Sequence, residues 1–201
     1  MRVSITGLPV TETRGTDLIK KDYGINKNVI YMRNSIELDD FKNPNRQKVR
    51  EKYGIKENEK LLIYVGRMAP EKNIPFMLDS FKKISEKNPS KLLIVGEGSE
   101  IENLKQYAKD HGLENKAIFT GRVEYKEIPN YYGASDLFIM TSTTEVKPLA
   151  LLEAMATGLP IIAVSACGAS DTIQDGLNGY LTSEVVPNLA FSINEKGQIT
   201  R

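Results

Sequence analysis

The sequence is poor in the residues that build disulfides and zinc sites, and it carries almost no excess of basic charge. Its 201 residues include one cysteine, Cys167, one histidine, His111, and no tryptophan. A single cysteine excludes an intrachain disulfide and favours a reducing compartment, and the lack of a Cys/His cluster argues against a structural zinc site. The 27 basic and 26 acidic side chains give a formal charge of +1, so the net field favours neither nucleic acid nor an anionic membrane.

Long apolar runs are also absent. The longest, Leu149–Val164, contains Glu153, Gly158 and Pro160, so it is not a membrane span. The first residues do not have the pattern of a signal peptide. A chain of 201 residues suffices for one sizeable α/β domain, or for one domain and part of another.

Five short apolar runs are present, and each ends in small residues or turn signals, as buried parallel strands do. They are residues 61–66, 91–96, 116–121, 136–142 and 160–166. Helical patterns fall between most of them, over residues 73–88, 99–112, 126–132 and 148–157. This alternation predicts an α/β fold with a doubly wound parallel sheet, helices on both faces, and ligands beyond the carboxyl ends of the strands.

Local signals predict where some of these helices begin and end. Asn73 is a candidate N-cap for the first helix, and Ser99 with Glu102 has the spacing of a capping box for the second. We expect the adjacent pair Tyr131 and Tyr132 to pack in the core.

The regions outside these elements are less regular. "RVSITGL" and "NVIYM" predict strands, "TDLIKKDYG" predicts a helix that ends at Gly24, and residues 46–53 predict a basic helix. "ACGAS" predicts a helix N-terminus near Ser170 and Asp171, and "QDGLNGYL" predicts a turn into a final strand. The tail has no clear closing element.

Two cations follow the first core strand, in "GRMAPEKN". Gly66 permits close backbone approach, and Arg67 and Lys72 flank the turn into the next helix. Cations at a helix N-terminus suit a phosphate or pyrophosphate, because exposed N–H groups and the helix dipole add to their charge. The alternative is a pair of solvated surface cations.

The next two loops carry weaker signals. "GEGSE" places Gly96 and Gly98 around a tight turn, and "TGRVEY" places Arg122 and Val123 at the following strand end. Short glycine motifs of this kind also occur in many ordinary loops.

The stretch "TTEVKPLALLEAMATGLPII" carries two glutamates in apolar surroundings. Every side chain between Pro148 and Thr157 is apolar except Glu153 and Thr157, so we expect this helix to pack on both sides. A buried carboxylate must be partnered, protonated or bound to a ligand. Glu145, in the loop before the helix, is expected to face the same crevice. The alternatives are a structural ion pair for Glu153 and a solvated loop position for Glu145.

Taken together, five segments resemble the C-terminal domain of retaining GT-B glycosyltransferases of the family-4 type. In chain order they are "GRMAPEKN", "GEGSE", "FTGRV", "ASDLFIMTSTTE" and "EVKPLALLEAMATGLPII". This is the group that shares the "glycosyl transferases group 1" domain. The resemblance covers residues 29–182 and implies one half of a GT-B fold. It also implies that residues 1–28 are a remnant of an N-terminal acceptor domain or linker, and that residues 29–201 form a nucleotide-sugar-binding domain that is incomplete at its C-terminus.

The resemblance implies a role for each matching residue. Arg67 and Lys72 match the basic pair that holds the donor's pyrophosphate, doing the work of a metal in other glycosyltransferases. Glu153 matches the glutamate that accepts hydrogen bonds from the ribose hydroxyls of the donor. Glu145 matches the glutamate that positions the transferred sugar. The remaining donor-binding positions are Gly66, Gly96, Gly98, Arg122, Val123, Lys147 and Leu149.

One departure from the family pattern affects the donor sugar. Lys147 and Pro148 stand where an aromatic residue and a glycine are usual, and proline cannot offer the backbone N–H that this glycine commonly supplies. Our hypothesis is that Lys147 supplies a compensating cation or hydrogen bond.

We therefore predict the donor-binding half of a metal-independent retaining glycosyltransferase that needs no cofactor. The full-length enzyme would move a hexose from a UDP-, GDP- or similar sugar to a sugar or lipid hydroxyl, in polysaccharide or glycolipid synthesis. It is expected in the cytoplasm, with peripheral membrane association left open and no nucleic-acid partner. The isolated chain is expected to transfer little. Two alternatives are a sugar-nucleotide epimerase or phosphorylase on the same fold, and a non-catalytic interaction domain that has lost donor binding.

Overall fold

The computed structural model of the chain describes residues 8–10, 21, 24, 29–31, 35–145, 148–166, 168–183, 192–193 and 199–200. Its helices are α1 (Arg46–Lys52), α2 (Ile74–Lys87), α3 (Ile101–Asp110), α4 (Ile128–Ala134) and α5 (Leu149–Ala156). Its strands are β1 (Leu8–Val10), β2 (Val29–Tyr31), β3 (Lys60–Val65), β4 (Ser90–Val95), β5 (Ala117–Gly121), β6 (Leu137–Met140), β7 (Ile161–Val164), β8 (Tyr180–Thr182), β9 (Ser192–Ile193) and β10 (Ile199–Thr200). Short 3-10 helices, Leu38–Phe41, Pro70–Lys72 and Tyr125–Glu127, precede α1, α2 and α4.

Strands β3 to β8 form one parallel sheet in the order β5-β4-β3-β6-β7-β8. The five apolar runs correspond to β3 to β7, and the turn before the final strand leads into β8 as predicted. The Rossmann-like parallel sheet predicted from the sequence is therefore confirmed.

Helices cover both faces of this sheet. Along β3, alternate side chains point to opposite faces. Leu61 and Ile63 pack in a core that includes side chains of α1, α4 and α5, whereas Leu62 and Tyr64 pack with side chains of α2 and α3. Because both faces are buried, the strands read as continuous apolar runs rather than alternating ones.

A buried charge joins α1 to the sheet. The Arg50 guanidinium is buried; it donates to the carbonyls of Lys56 and Glu59 at 2.8 and 2.7 Å and lies 3.5 Å from Asp136 Oδ2. The same carboxylate oxygen accepts the N–H of Leu61 at 2.8 Å. These bonds satisfy the buried charge within the fold, so Arg50 serves the architecture.

Of the two predicted helix caps, Asn73 is confirmed in position and the Ser99 cap is wrong, and neither side chain makes the expected capping bond. Asn73 occupies the N-cap position of α2, but its backbone is left-handed (φ 48°), and its side chain makes no capping hydrogen bond. The second helix begins at Ile101 with Glu100 as its N-cap, so Ser99 and Glu102 do not form a capping box. Capping depends on the backbone path into the helix, which residue spacing alone does not determine.

Two other local predictions are corrected. Residues 168–172 form hydrogen-bonded turns rather than a helix near Ser170 and Asp171, with the Ser170 N–H bonded to Ala166 O at 3.1 Å. Helix α5 is less enclosed than predicted: Leu151, Glu153 and Ala154 are buried, whereas Ala150, Met155 and Ala156 are half-buried against the core and Leu149 is 46% exposed.

Strand β1 pairs in parallel with β2, which confirms the strand predicted over "NVIYM". The strand predicted over "RVSITGL" and the helix over "TDLIKKDYG" lie almost entirely outside the described residues, as do Cys167 and most of the tail. The domain division at residue 28 stays a prediction.

Candidate functional site

The site lies where the order of the sheet reverses. From β3 the chain continues through β4 to β5 on one side, and it then returns to place β6 on the other side of β3. The loops after β3 and β6 therefore leave neighbouring strands in opposite directions. In open parallel sheets this reversal creates a crevice at the carboxyl ends of the strands, where ligands bind.

Backbone and hydroxyl bonds hold these two loops together. Thr141 Oγ1 donates to the carbonyl of Lys72 at 2.9 Å, and the Thr143 N–H donates to the carbonyl of Glu71 at 3.1 Å. The 3-10 turn Pro70–Lys72 is thereby fastened to the residues that follow β6. This fixes the backbone from which the Lys72 side chain projects.

The cations predicted to bind phosphate lie beside carboxylates. Lys72 Nζ is 2.5 Å from Glu145 Oε1, and both side chains are about five-sixths buried, with 15% and 16% exposed. Arg67 Nη2 is 2.7 Å from Glu71 Oε1, and the Arg67 side chain is exposed. The solvated-loop alternative for Glu145 is wrong, because its carboxylate is largely buried in an ion pair.

A cavity of about 210 Å³ lies between these loops and the start of α5. It brings together five of the residues predicted from the sequence, which are Gly66, Arg67, Lys72, Glu145 and Leu149. The other residues that line it are Tyr64, Val65, Met140, Ser142, Pro148 and Ala150. The cavity thus combines an ion pair and an exposed guanidinium with apolar walls.

Two hydroxyl groups that line the cavity could not be identified from the sequence. Tyr64 Oη donates to the carbonyl of Arg67 at 3.0 Å, and burial, followed by the negative charges of Glu145 and Glu71, raises the pKa of Tyr64 above its usual range. Ser142 is 1% exposed, and among the described residues its Oγ has no hydrogen-bond partner. Neither stands out in sequence, because each lies in or beside an apolar strand.

In the loop after β4, Gly96 and Gly98 are needed for close packing against the loop after β3. A Cβ on Gly98 would lie 2.0 Å from Met68 O, and one on Gly96 would lie 2.0 Å from Gly66 O. The Met68 N–H also bonds to Glu97 O at 2.8 Å. Glycine is therefore required for the loops after β3 and β4 to touch, which brings the second loop directly against the Gly66–Met68 segment.

Arg122 and Val123 follow β5, the edge strand beside β4. Arg122 is exposed, and Val123 is half-buried against the core. Neither lines the cavity beside Lys72. They lie further along the same edge of the sheet, so their contact with a donor stays a prediction.

Glu153 is buried on α5, and Tyr132 is its partner. Tyr132 Oη lies 3.0 Å from Glu153 Oε2 and 3.1 Å from the carbonyl of Ala150. Burial raises the pKa of Glu153, and the hydrogen bond from Tyr132 opposes this rise. No cation among the described residues pairs with Glu153, so they do not support the structural ion pair. Tyr132 belongs to the core as predicted, and its hydroxyl contacts the candidate site.

Tyr125 is a second tyrosine near this carboxylate. It lies in the 3-10 helix after β5, and its side chain is exposed. Partial burial, followed by the negative charges of Glu153 and Asp40, raises the pKa of Tyr125. No sequence pattern selects Tyr125, because only the fold brings the end of β5 close to α5.

The residues at the start of α5 are only partly described. Pro148 is the N-cap of the helix, and Leu149 is 46% exposed at the cavity. Lys147 lies outside the described residues, so its compensating role stays a hypothesis.

A separate groove of about 150 Å³ lies at the opposite, amino-terminal end of the strands, where its lining includes Lys60, Leu62, Ser90 and Leu137. It is mainly apolar and lacks the convergent charges of the crevice. We therefore assign the candidate site to the carboxyl ends of β3 and β6.

Two other kinds of feature are absent from the described residues. These residues contain no group of three or more His, Cys, Asp or Glu side chains able to hold a metal ion. Nor do they include a helix with the length and hydropathy to span a bilayer. The expected metal independence of the reaction stays a prediction.

Comparison with known proteins relates this arrangement to one family. The profile described as "Glycosyl transferases group 1" matches residues 45–195. The chain is 34% identical over 166 residues to the alpha-monoglucosyldiacylglycerol synthase of Streptococcus pneumoniae, covering 80% of this chain and 38% of that protein. It is 32% identical over 156 residues to the N-acetyl-alpha-D-glucosaminyl L-malate synthase of Bacillus anthracis, covering 78% of this chain and 40% of the relative.

Solved structures agree on the fold. The crystal structure of Anabaena HepE in complex with UDP and glucose matches with a TM-score of 0.80 at 24% identity, over 90% of this chain and 50% of that one. The chain thus spans half or less of the proteins it matches here. The profile match covers three-quarters of the sequence, including every predicted site residue. The chain belongs to the glycosyl transferases group 1 family.

Proposed function

We propose that this chain is the nucleotide-sugar-binding half of a retaining glycosyltransferase. The observation that carries the proposal is the meeting of Arg67, Lys72 and Glu145 at the reversal of the sheet, around a cavity at the carboxyl ends of β3 and β6. Family membership supports the same reading. The full-length protein would transfer a hexose from a nucleoside diphosphate sugar.

Arg67 and Lys72 are assigned to the diphosphate. Each is paired with a carboxylate, Glu71 for Arg67 and Glu145 for Lys72. A diphosphate carries more charge than either carboxylate and accepts several hydrogen bonds, so it competes well for both cations. When Lys72 turns to the diphosphate, Glu145 becomes available to the hydroxyls of the donor sugar.

In the proposed reaction, the bond between the anomeric carbon and the diphosphate oxygen breaks as the acceptor hydroxyl approaches from the same face. The new carbon–oxygen bond keeps the anomeric configuration, and the acceptor proton passes to the departing phosphate oxygen. Arg67 and Lys72 stabilise the negative charge that grows on the diphosphate, and Glu145 orients the sugar. No cofactor or metal enters this scheme.

Glu153 is assigned to the ribose hydroxyls, and the remaining donor contacts to Gly66, Gly96, Gly98, Arg122, Val123, Lys147 and Leu149. The first two loops support this assignment by lying in contact with each other beside the cavity. The acceptor would be a sugar or lipid hydroxyl bound by another part of the full-length protein. We expect that protein in the cytoplasm or at the surface of a membrane.

The two alternative functions receive less support. The relatives reported above are named as synthases, and the solved neighbour holds UDP and glucose. An interaction domain that had lost donor binding would have no need to retain Lys72 and Glu145 as a largely buried pair.

The test is a thermal shift of this chain with UDP, GDP, ADP and their common sugar conjugates. UDP is the first choice because Anabaena HepE was solved with it. A ligand at about 100 times its Kd stabilises a protein by roughly 2.7 kcal/mol. A shift with one base, reduced in Glu153→Ala, supports the proposal. No shift with any nucleotide, from a folded chain, contradicts it.

A further inference from the structure

The Glu153 carboxylate has one hydrogen-bond donor among the described residues. Tyr132 donates to Oε2, and among the described residues no other donor contacts this group. A buried carboxylate normally accepts several hydrogen bonds, because losing water costs its charged form. Within the described part of the chain Oε1 has no donor, and Glu153 itself does not line the cavity beside Lys72.

The Tyr132 hydroxyl cannot easily move away from Glu153. Its ring is fully buried, with ring centroids 6.3 Å from Phe41 and 6.0 Å from Phe138. The hydroxyl also contacts the carbonyl of Ala150, which lines the cavity beside Lys72 and Glu145. One phenol thus ties the orientation of Glu153 to the wall of the proposed donor site.

We infer that Tyr132 is a positioning residue for ribose recognition: its hydroxyl holds Glu153 Oε2 so that Oε1 accepts a hydrogen bond from a ribose hydroxyl of the nucleoside diphosphate. This inference rests on the function proposed above. Tyr132 itself does not touch the nucleotide and acts through the carboxylate. Without its hydroxyl, the Glu153 side chain loses its one described donor and can rotate away from the ribose.

The test compares the Kd of UDP with those of 2′-deoxy-UDP and 3′-deoxy-UDP by calorimetry. In the unaltered chain, UDP is expected to bind at least about tenfold more tightly than the deoxy analogue that lacks the recognised hydroxyl, as for a hydrogen bond to a charged group. Tyr132→Phe is expected to weaken UDP about tenfold and to leave that analogue nearly unchanged, so that the discrimination is lost. A purely structural role would weaken all three nucleotides equally.

Three further variants complete the design. Tyr131→Phe removes the hydroxyl of the adjacent core tyrosine, which contacts Lys52 and Tyr53, and is expected to keep the discrimination. Glu153→Gln should lose the discrimination between UDP and the deoxy analogue. Adding Tyr132→Phe to Glu153→Gln should weaken UDP binding little further, because both changes act on one interaction. Inorganic pyrophosphate, which has no ribose, should bind every folded variant equally.

If Tyr132→Phe does not fold, Glu153→Asp provides the same comparison, since the shorter side chain cannot reach both Tyr132 and the ribose. Discrimination retained by Tyr132→Phe, or by Glu153→Asp in its place, overturns the inference while leaving the proposed function intact. Failure of the unaltered chain to bind any nucleotide overturns both.

Discussion

Lys72 and Glu145 are 73 positions apart in the sequence, yet Lys72 Nζ lies 2.5 Å from Glu145 Oε1. They follow β3 and β6, the two strands between which the sheet reverses its order. The ion pair therefore lies where this architecture binds ligands. In the proposed function its two members contact different parts of the donor, so we expect the pair to separate when a donor binds.

Lys72→Met should weaken the binding of UDP by about tenfold to a hundredfold, since a charge-assisted hydrogen bond to a phosphate contributes about 1.5–3 kcal/mol. Uridine, which has no phosphate, should bind both proteins equally. Isothermal titration calorimetry would measure both. Lys105→Met is the matched control and should change neither, because Lys105 lies on α3, pairs with Glu102 and does not line the cavity. Equal loss of uridine and UDP would contradict the assignment of Lys72 to the phosphates.

Glu145→Gln should have the opposite effect on UDP. The amide cannot form the ion pair, so Lys72 is free to meet the diphosphate, and the affinity for UDP should rise about threefold, typical of a modest salt bridge. The affinity for UDP-sugar should rise less, because the carboxylate that orients the sugar is gone. The ratio of the two dissociation constants is the measured quantity, and an unchanged ratio would count against a sugar-positioning role for Glu145.

Glu153→Gln should make the folded chain more stable at neutral pH. Burial raises the pKa of Glu153 above its value in the unfolded chain, so the folded state holds this proton more tightly. This tighter proton binding stabilises the fold fully below the pKa of about 4.3 that glutamate has in the unfolded chain. The stabilisation is lost as the pH rises through the pKa of Glu153 in the folded chain. Urea unfolding should give Glu153→Gln the higher free energy at pH 7, with the difference shrinking toward pH 4.

The control for this experiment is Glu102→Gln. The Glu102 side chain is 79% exposed on α3, so its neutralisation should change stability little across the same range. A Glu153→Gln variant less stable than the unaltered chain at pH 7 would show that the ionised carboxylate stabilises the fold.

Gly98→Ala should displace the loop after β4. The added Cβ would lie 2.0 Å from the carbonyl oxygen of Met68, a contact that backbone cannot easily relieve. We expect the free energy of unfolding to fall by about 1–3 kcal/mol, as at an overpacked site, and UDP binding to weaken. Gly112→Ala is the comparison: it has a positive φ of 72° but open space around it, so it should lower stability by about 1 kcal/mol without affecting UDP. Unfolding and titration of both variants would separate these effects.

The sheet was the most predictable part of the fold. Strands buried on both faces read as unbroken apolar runs, and for this reason β3 to β7 could be located from the sequence. Helix starts were less predictable. At Asn73 the residue type suited a cap, but the left-handed backbone that leads out of the 3-10 turn keeps its side chain from bonding the helix.

The residues that follow each strand can be read from the chain alone, and among them are Arg67, Lys72, Glu145 and Glu153. Which of these residues come into contact depends on the folded arrangement. Only the reversal of the sheet brings Lys72 to Glu145, and only the packing of α4 against α5 gives Glu153 a phenol as its partner. Residue identity is local, whereas hydrogen bonds and ion pairs across the sheet depend on strand order, which residue spacing does not encode.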